Sequence, residues 1–193
     1  MLPRSLPRTP RSPFPSLRAA VSATALLACL LVAPSSQAVE PSRGGWYLTG
    51  SATKVTASVK DYTLLHEMKA LPAVKTKRGV IDADVDKRFS WRLHRDLSCA
   101  TLKTALRDGF RRNAYTTSAT ITTFVNACSG PTLKARSTAV VIRYVAATKT
   151  TTLSVSGMGT TSVVGVDFMR AVWSLWLGNV DQPKLGEALV ARL

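Results

Sequence analysis

The residue pattern predicts an α+β domain with a largely antiparallel sheet. Three observations lead there. Two-residue alternation of apolar and polar positions marks residues 55–60 and 89–94 and returns at 140–144. Apolar residues at spacings of three and four then mark two helical pairs, one over 98–130 and one over 167–189. Strands, helix pair, strands, helix pair is the order of a fold that segregates its sheet from its helices.

The pattern begins only at Trp46. Before it, Arg4, Arg8, Arg11 and Arg18 precede an apolar stretch over 19–33, and no acidic residue occurs before Glu40. The stretch is too short and too alanine-rich for a membrane span. Ser36 and Ala38 supply the small-x-small pattern that fits a signal peptidase, so cleavage is expected between Ala38 and Val39. An uncleaved anchor is the rival. So is a lipoprotein box at Leu26-Leu27-Ala28-Cys29, which the apolar residues Leu30, Leu31 and Val32 beyond it disfavour. The expected organisation is a signal peptide over 1–38, a flexible lead-in over 39–45 and one domain over 46–193, in the periplasm or secreted. No transmembrane segment is expected after cleavage.

Setting residues 1–38 aside leaves 155 residues, enough for one core and too few for two. The formal charge of the whole chain is +15, and +11 without the four N-terminal arginines. Such a charge favours anionic surroundings and names no partner. Cys99 and Cys128 remain, an even number for an oxidising compartment.

Residues 46–68 predict one or two strands broken near Gly50, with Val55, Ala57 and Val59 alternating against Thr56, Ser58 and Lys60. Pro72, three basic residues and Gly79 mark 70–79 as a loop. Phe89, Trp91 and Leu93 alternate with Ser90, Arg92 and His94 in a half-buried strand. Asp96 or Ser98 caps a helix whose apolar face is Cys99, Leu102, Leu106, Gly109 and Phe110. A second helix starts near Ser118, buries Ile121, Phe124, Val125 and Cys128, and stops at Gly130-Pro131. The short link over 114–117 predicts an antiparallel hairpin. Its geometry sets Cys99 beside Cys128, as a disulfide or as two buried thiols.

Val140, Ile142 and Tyr144 mark a central strand. A turn at Thr148-Lys149-Thr150 leads to a strand over 152–156, and Gly157-Met158-Gly159 turns into another over 161–164. Asp167 caps a helix carrying Val172, Trp173, Leu175, Trp176 and Leu177. Asp181-Gln182-Pro183 opens the last helix, which packs through Leu185, Ala188 and Leu189.

Signatures of catalysis are sparse. His66 and His94 lack metal-ligand neighbours at a usable spacing, and no metal or organic cofactor is expected. Asp82, Asp84 and Asp86 would share one face of a strand, without the glycine-bearing loop of a calcium site. Gly157-x-Gly159 lacks the Lys-Ser/Thr pair of a phosphate loop. Trp173 and Trp176 are core positions at helical spacing. Lys103, Arg107, Arg111 and Arg112 form a basic stripe, suited to an anionic envelope surface or simply to water. No motif for specific nucleic-acid binding appears.

One resemblance extends this. Leu93-His94-Arg95-Asp96-Leu97-Ser98, followed by a helix and a hairpin, resembles the Arg-Asp-Val/Leu segment of chalcone isomerase-like proteins. The tail from Gly165-Val166-Asp167-Phe168 through Ala171 to Leu175-Trp176-Leu177-Gly178 resembles the signature of their bacterial exported branch. The resemblance implies an open-faced β-sandwich, an antiparallel sheet with helices packed on one face and a ligand cleft between them. Enzymes of that family close a flavanone ring, and another branch binds fatty acids without catalysis. In this sequence the family's catalytic arginine falls on Lys54, which keeps the charge and loses the planar fork. The strand threonine falls on Tyr62, with Thr63 as its neighbour. Residues 99–112 hold no Tyr or Asn, and the C-terminal Ser/Thr position is Met169. The resemblance therefore implies a non-catalytic protein whose Lys54, Tyr62 and Thr63 bind a small apolar, fatty-acid-like or carboxylate-bearing ligand. An isomerase of another substrate is the alternative.

Overall fold

A strand that buries every second residue needs cover on one side only, and six such strands meet here in one antiparallel sheet. The computed structural model describes residue 41 and residues 44–193. Cys29 and the expected cleavage site at Ala38 and Val39 lie outside the described residues. The elements are β1 (Tyr47–Thr56), β2 (Val59–Met68), α1 (Lys77–Asp82), β3 (Lys87–Leu93), β4 (Leu97–Ser98), α2 (Cys99–Arg112) and α3 (Ser118–Val125). After them come β5 (Thr132–Leu133), β6 (Val140–Val145), β7 (Thr150–Val155), β8 (Gly159–Val164), α4 (Val166–Leu177) and α5 (Pro183–Ala188). The large sheet runs β1-β2-β3-β6-β7-β8, and β4 pairs with β5 in a small ribbon.

One face of the sheet carries Leu64, Phe89, Trp91, Ile142, Tyr144 and Leu153, all buried. The other carries Thr53, Arg92, Arg143 and Ser162, all exposed or half-exposed. The described helices cover the first face, so the sandwich is open-faced, as predicted. Helix α4 explains how the cover is held. Phe168, Met169, Val172, Trp173, Trp176 and Leu177 are all buried, covering more than one side of the helix. A helix apolar around most of its circumference is packed on several sides, and α4 meets α1, α2, α5 and β7. Trp173 and Trp176 sit 5.3 and 4.8 Å from the Phe89 ring, centroid to centroid.

Three local expectations are corrected. The break expected near Gly50 falls instead at Ala57–Ser58, where both residues take positive φ (47° and 66°). Gly50 lies inside β1 at a register shift, and the C-terminal segment needs its missing side chain. A Cβ there would lie 2.2 Å from the carbonyl oxygen of Ala188. Backbone must move to admit it, so Gly50→Ala should lower stability by about 2 kcal/mol in urea unfolding. An unchanged midpoint would show that the C-terminal segment yields freely.

Residues 70–79 are not all loop. Thr76 accepts the Gly79 N–H at 3.0 Å and starts α1, which buries only Val80 and Ile81. The acidic trio does not share a strand face either. Asp82 pairs with Arg78, Asp84 accepts the Tyr144 hydroxyl and pairs with Lys149, and Asp86 accepts the Ala146 N–H. Each carboxylate fixes a different contact around the end of α1.

Lys87 sits at the centre of this region, fully buried. Its Nζ donates to the carbonyls of Val80 (2.7 Å) and Ile81 (3.1 Å) near the C-terminal end of α1 and lies over the Trp173 ring. A cation is favourable there because the helix dipole leaves its last carbonyls negative. Burial still lowers its pKa to about 7, against the opposing pull of Asp82 and Asp84.

Ser98, rather than Asp96, caps α2 by accepting the Thr101 N–H, while Asp96 pairs with Lys134. The start of α2 lies beside the end of α3, as an antiparallel hairpin requires. There Cys99 and Cys128 form a disulfide, with Cα atoms 5.5 Å apart. Among the described residues no helix is long and apolar enough to cross a membrane.

Candidate functional site

Between the sheet and the α2–α4 layer lies a cleft of about 340 Å³, toward the lower end of the range of small-molecule sites. Its position follows from the strand register. Lys54 on β1 stands opposite Tyr62 on β2, and Tyr62 stands opposite Leu93 on β3. Period-two alternation turns Lys54 and Tyr62 to the helix-covered side with Ala52 and Leu64. Both line the cleft. The same alternation sends Thr63 to the open face, where its hydroxyl lies 2.8 Å from Thr53 Oγ1 and 2.8 Å from His94 Nε2. Thr63 therefore does not line the cleft, whereas Tyr62 does.

The interior of the cleft is apolar. Tyr62 and Trp91 form the sheet side, their rings 5.7 Å apart. Leu102 and Leu106 of α2 and Leu175 and Trp176 of α4 form the helix side. The Trp91 indole N–H is buried and has no acceptor among the described residues, so this wall carries an unmatched donor. Met169, at the family's C-terminal hydroxyl position, is fully buried and absent from the lining.

The lining also carries charge of both signs, Lys54, Arg95 and Arg112 with Asp61, Asp108 and Asp181. Lys54 Nζ lies 2.5 Å from Asp181 Oδ2, which follows α4. Arg95 Nε lies 2.6 Å from Asp61 Oδ1, whose other oxygen accepts the Thr56 hydroxyl at 2.7 Å. Arg112, at the end of α2, also lines the cleft, with no ion pair among the described residues, and its charge acts on Asp181. Sequence reasoning missed Arg95, Arg112 and Asp181 as cleft residues. Arg95 stood in the quoted Leu93–Ser98 segment, whereas Asp181 read as the start of a helix.

Two protonation states are fixed by these surroundings. Burial pushes the Tyr62 phenol up to about 12, opposed by the Trp176 indole N–H donating to its oxygen and aided by the charges of Asp181 and Asp61. At any ordinary pH it stays protonated and offers a hydroxyl donor to a ligand oxygen. Burial raises the Asp181 carboxyl, but the Lys54 hydrogen bond and the Lys54 and Arg112 charges outweigh it and hold it below the usual range. Asp181 is thus a fixed anion. No group of three His, Cys, Asp or Glu side chains placed to hold a metal occurs among the described residues.

No protein-family model and no curated protein sequence matches the chain. Among solved structures, it resembles the crystal structure of a fatty-acid binding protein from Arabidopsis thaliana. The TM-score is 0.60 at 12% identity, over 78% of this chain and 89% of the plant protein. At that identity the likeness establishes the fold alone: an antiparallel sheet with helices on one face, in the chalcone isomerase-like arrangement.

Proposed function

We propose that this chain is an exported, non-catalytic protein that holds a small apolar or carboxylate-bearing molecule in the cleft between sheet and helices. The observation that carries this is a cleft lining that joins apolar side chains to the Tyr62 phenol and to the cations Lys54, Arg95 and Arg112, which stand beside Asp61, Asp108 and Asp181. A cation and a phenol hydroxyl together satisfy a carboxylate, while Trp91, Leu102, Leu106 and Trp176 offer a hydrocarbon tail the burial it seeks. The fatty-acid binding of the plant neighbour supports the same ligand class. A plant-type cyclisation finds less support. Residues 99–112 supply neither the tyrosine nor the asparagine of the family's enzymes, and Met169 cannot donate a hydrogen bond.

Native mass spectrometry of the protein purified from the host envelope under non-reducing conditions tests this. The expected spectrum contains a discrete small molecule that leaves on activation, on a polypeptide of residues 39–193 less two hydrogens. A bare chain that also fails to take up added laurate would overturn the binding proposal. A mass that retains residues 1–38 would overturn export by cleavage.

A second reading concerns the outer side of α2. Lys103 and Arg107 stand four residues apart with no ion pair among the described residues, and Arg107 is exposed. With the net charge of +11 over 39–193, they suit an anionic envelope surface. Retention on anionic liposomes should then fade steeply from low to physiological salt, and retention indifferent to salt would remove this reading.

A further inference from the structure

We propose that Asp181 occupies the carboxylate seat of the cleft as the chain's own stand-in, and that the carboxylate of a bound ligand displaces it. The proposal rests on the cleft binding a carboxylate-bearing molecule, as argued above. It adds that Asp181 sets which molecules gain from Lys54.

The seat is made by Lys54, with Arg112 as a second cation on the cleft lining. Lys54 approaches from β1, and Arg112 from the end of α2, each lining the cleft. The carboxylate that pairs with Lys54 and feels the Arg112 charge comes from neither element but from the segment between α4 and α5. Its two partners differ in access. The Lys54 side chain is 17% exposed and the Asp181 side chain 55%. Lys54 is therefore the inner, fixed member of the pair. Asp181 is the outer one, able to turn into water without leaving a charge buried.

The backbone around Asp181 is held independently of that ion pair. The Asn113 amide donates to the Asn179 carbonyl at 3.1 Å, and its oxygen accepts the Asn179 N–H at 2.8 Å. On the other side, Gln182 Nε2 donates to the Val55 carbonyl at 2.9 Å. Residues 179 and 182 stay pinned when the Asp181 side chain rotates. Displacement is then an exchange of one carboxylate for another at Lys54, not the opening of a loop.

Such an exchange is nearly balanced in energy, so the outcome turns on concentration and on the tail. A tethered carboxylate competes at an effective concentration on the order of millimolar. A free carboxylate wins only if its tail gains burial inside the cleft. A short acid without a tail is therefore excluded by Asp181. A neutral amphiphile gains nothing from Lys54, because it leaves the existing ion pair intact.

Titration calorimetry with laurate, and separately with methyl laurate, tests this in the wild-type protein and in Asp181→Asn. Removing the internal competitor should tighten laurate binding on the order of ten-fold and leave methyl laurate unchanged. Asp181→Glu, which restores the charge, should return laurate affinity to within about two-fold of wild type. Asp181→Ser, a second neutral change, should behave as Asp181→Asn does. If wild type binds laurate and neither neutral variant binds it more tightly, Asp181 does not hold the seat and the proposal falls. An equal gain for laurate and its ester also overturns it, since the cleft would then only have been widened. If neither compound binds to any of these proteins, the ligand-binding function fails and this proposal fails with it.

Discussion

Acidification from pH 7 to pH 3 is expected to remove about 4 kcal/mol of folding stability through one side chain, His66. Its ring is fully buried on the helix-covered side of β2. Trp173 Nε1 donates to His66 Nε2 at 2.8 Å, so Nε2 is an acceptor and the ring proton of the neutral tautomer sits on Nδ1. Nδ1 faces Thr49 Oγ1 at 2.5 Å, and that hydroxyl donates to the Leu189 carbonyl at 2.9 Å. This directed chain joins α4, β2, β1 and the C-terminal segment, and it works only with His66 neutral. Protonating Nε2 would set an N–H against the Trp173 N–H and place a charge beside Lys87 in the core. Burial first, and the Lys87 charge second, lower the pKa from 6.5 to about 3.

The sign follows directly. The folded pKa lies below the unfolded one, so the unfolded chain binds the extra proton between pH 6.5 and 3. The His66 contribution to stability is complete above pH 6.5 and falls with acid across that window. Folding free energies from urea unfolding between pH 6.5 and 4.5, above the range of most carboxylates, should drop by about 1 kcal/mol per pH unit. His66→Gln, which cannot titrate, should lose that slope while losing some stability throughout. A flat wild-type profile would mean that the fold tolerates a charged His66. Lys87 acts in the same direction at higher pH. Its folded pKa of about 7 lies below the ordinary 10.5, so stability should rise again from pH 7 toward 10.5.

How much of this was legible depends on how local the signal is. The alternation of Phe89, Trp91 and Leu93 yielded β3, and the same period places Lys87 inward with them. Its charge argued for solvent, and only the carbonyls of Val80 and Ile81 make burial tolerable. Helix α1 escaped because six residues with two buried side chains leave no period to detect. The β1–β2 turn escaped because Ala57 and Ser58 lack the Gly or Asn that normally marks positive φ. In the cleft, Lys54 and Tyr62 were reached through a resemblance, and the register separated Tyr62 from Thr63. Asp181 was legible only as a cap. Its partner Lys54 is 127 residues away, and Asp-Gln-Pro fits a helix start so well that nothing local hints at a second task. The cleft arginines show the same limit: Arg95 lies between β3 and β4, Arg112 ends α2, and they line one cleft only in the folded chain.

The cysteines are a case where local reasoning reached a long-range contact, and they carry the other large effect. Converting Cys99 and Cys128 to serine, or reducing them, should cost about 3.5 kcal/mol and lower the melting temperature by roughly 10 °C. The bridge spans a sequence separation of 29 and closes the α2–α3 hairpin at its open end. Without it the unfolded chain regains the freedom of that whole loop, which is the main source of the loss in the chain-entropy account. The folded state loses less. Cys99 and Cys128 are buried beside Met158, and the Cys99 N–H still donates to the Pro131 carbonyl. Calorimetric melts with and without reductant, set against the double-serine variant, check both parts. Equal destabilisation by reduction and by substitution would locate the effect in the cross-link itself. A markedly larger loss for serine would add the cost of burying two hydroxyls where thiols packed as apolar groups. No change on verified reduction would mean that α2, α3 and β8 hold the hairpin closed without it. Because α2 supplies Leu102, Leu106 and Arg112 to the cleft, laurate uptake measured on the reduced protein tells whether the bridge also keeps that wall in place.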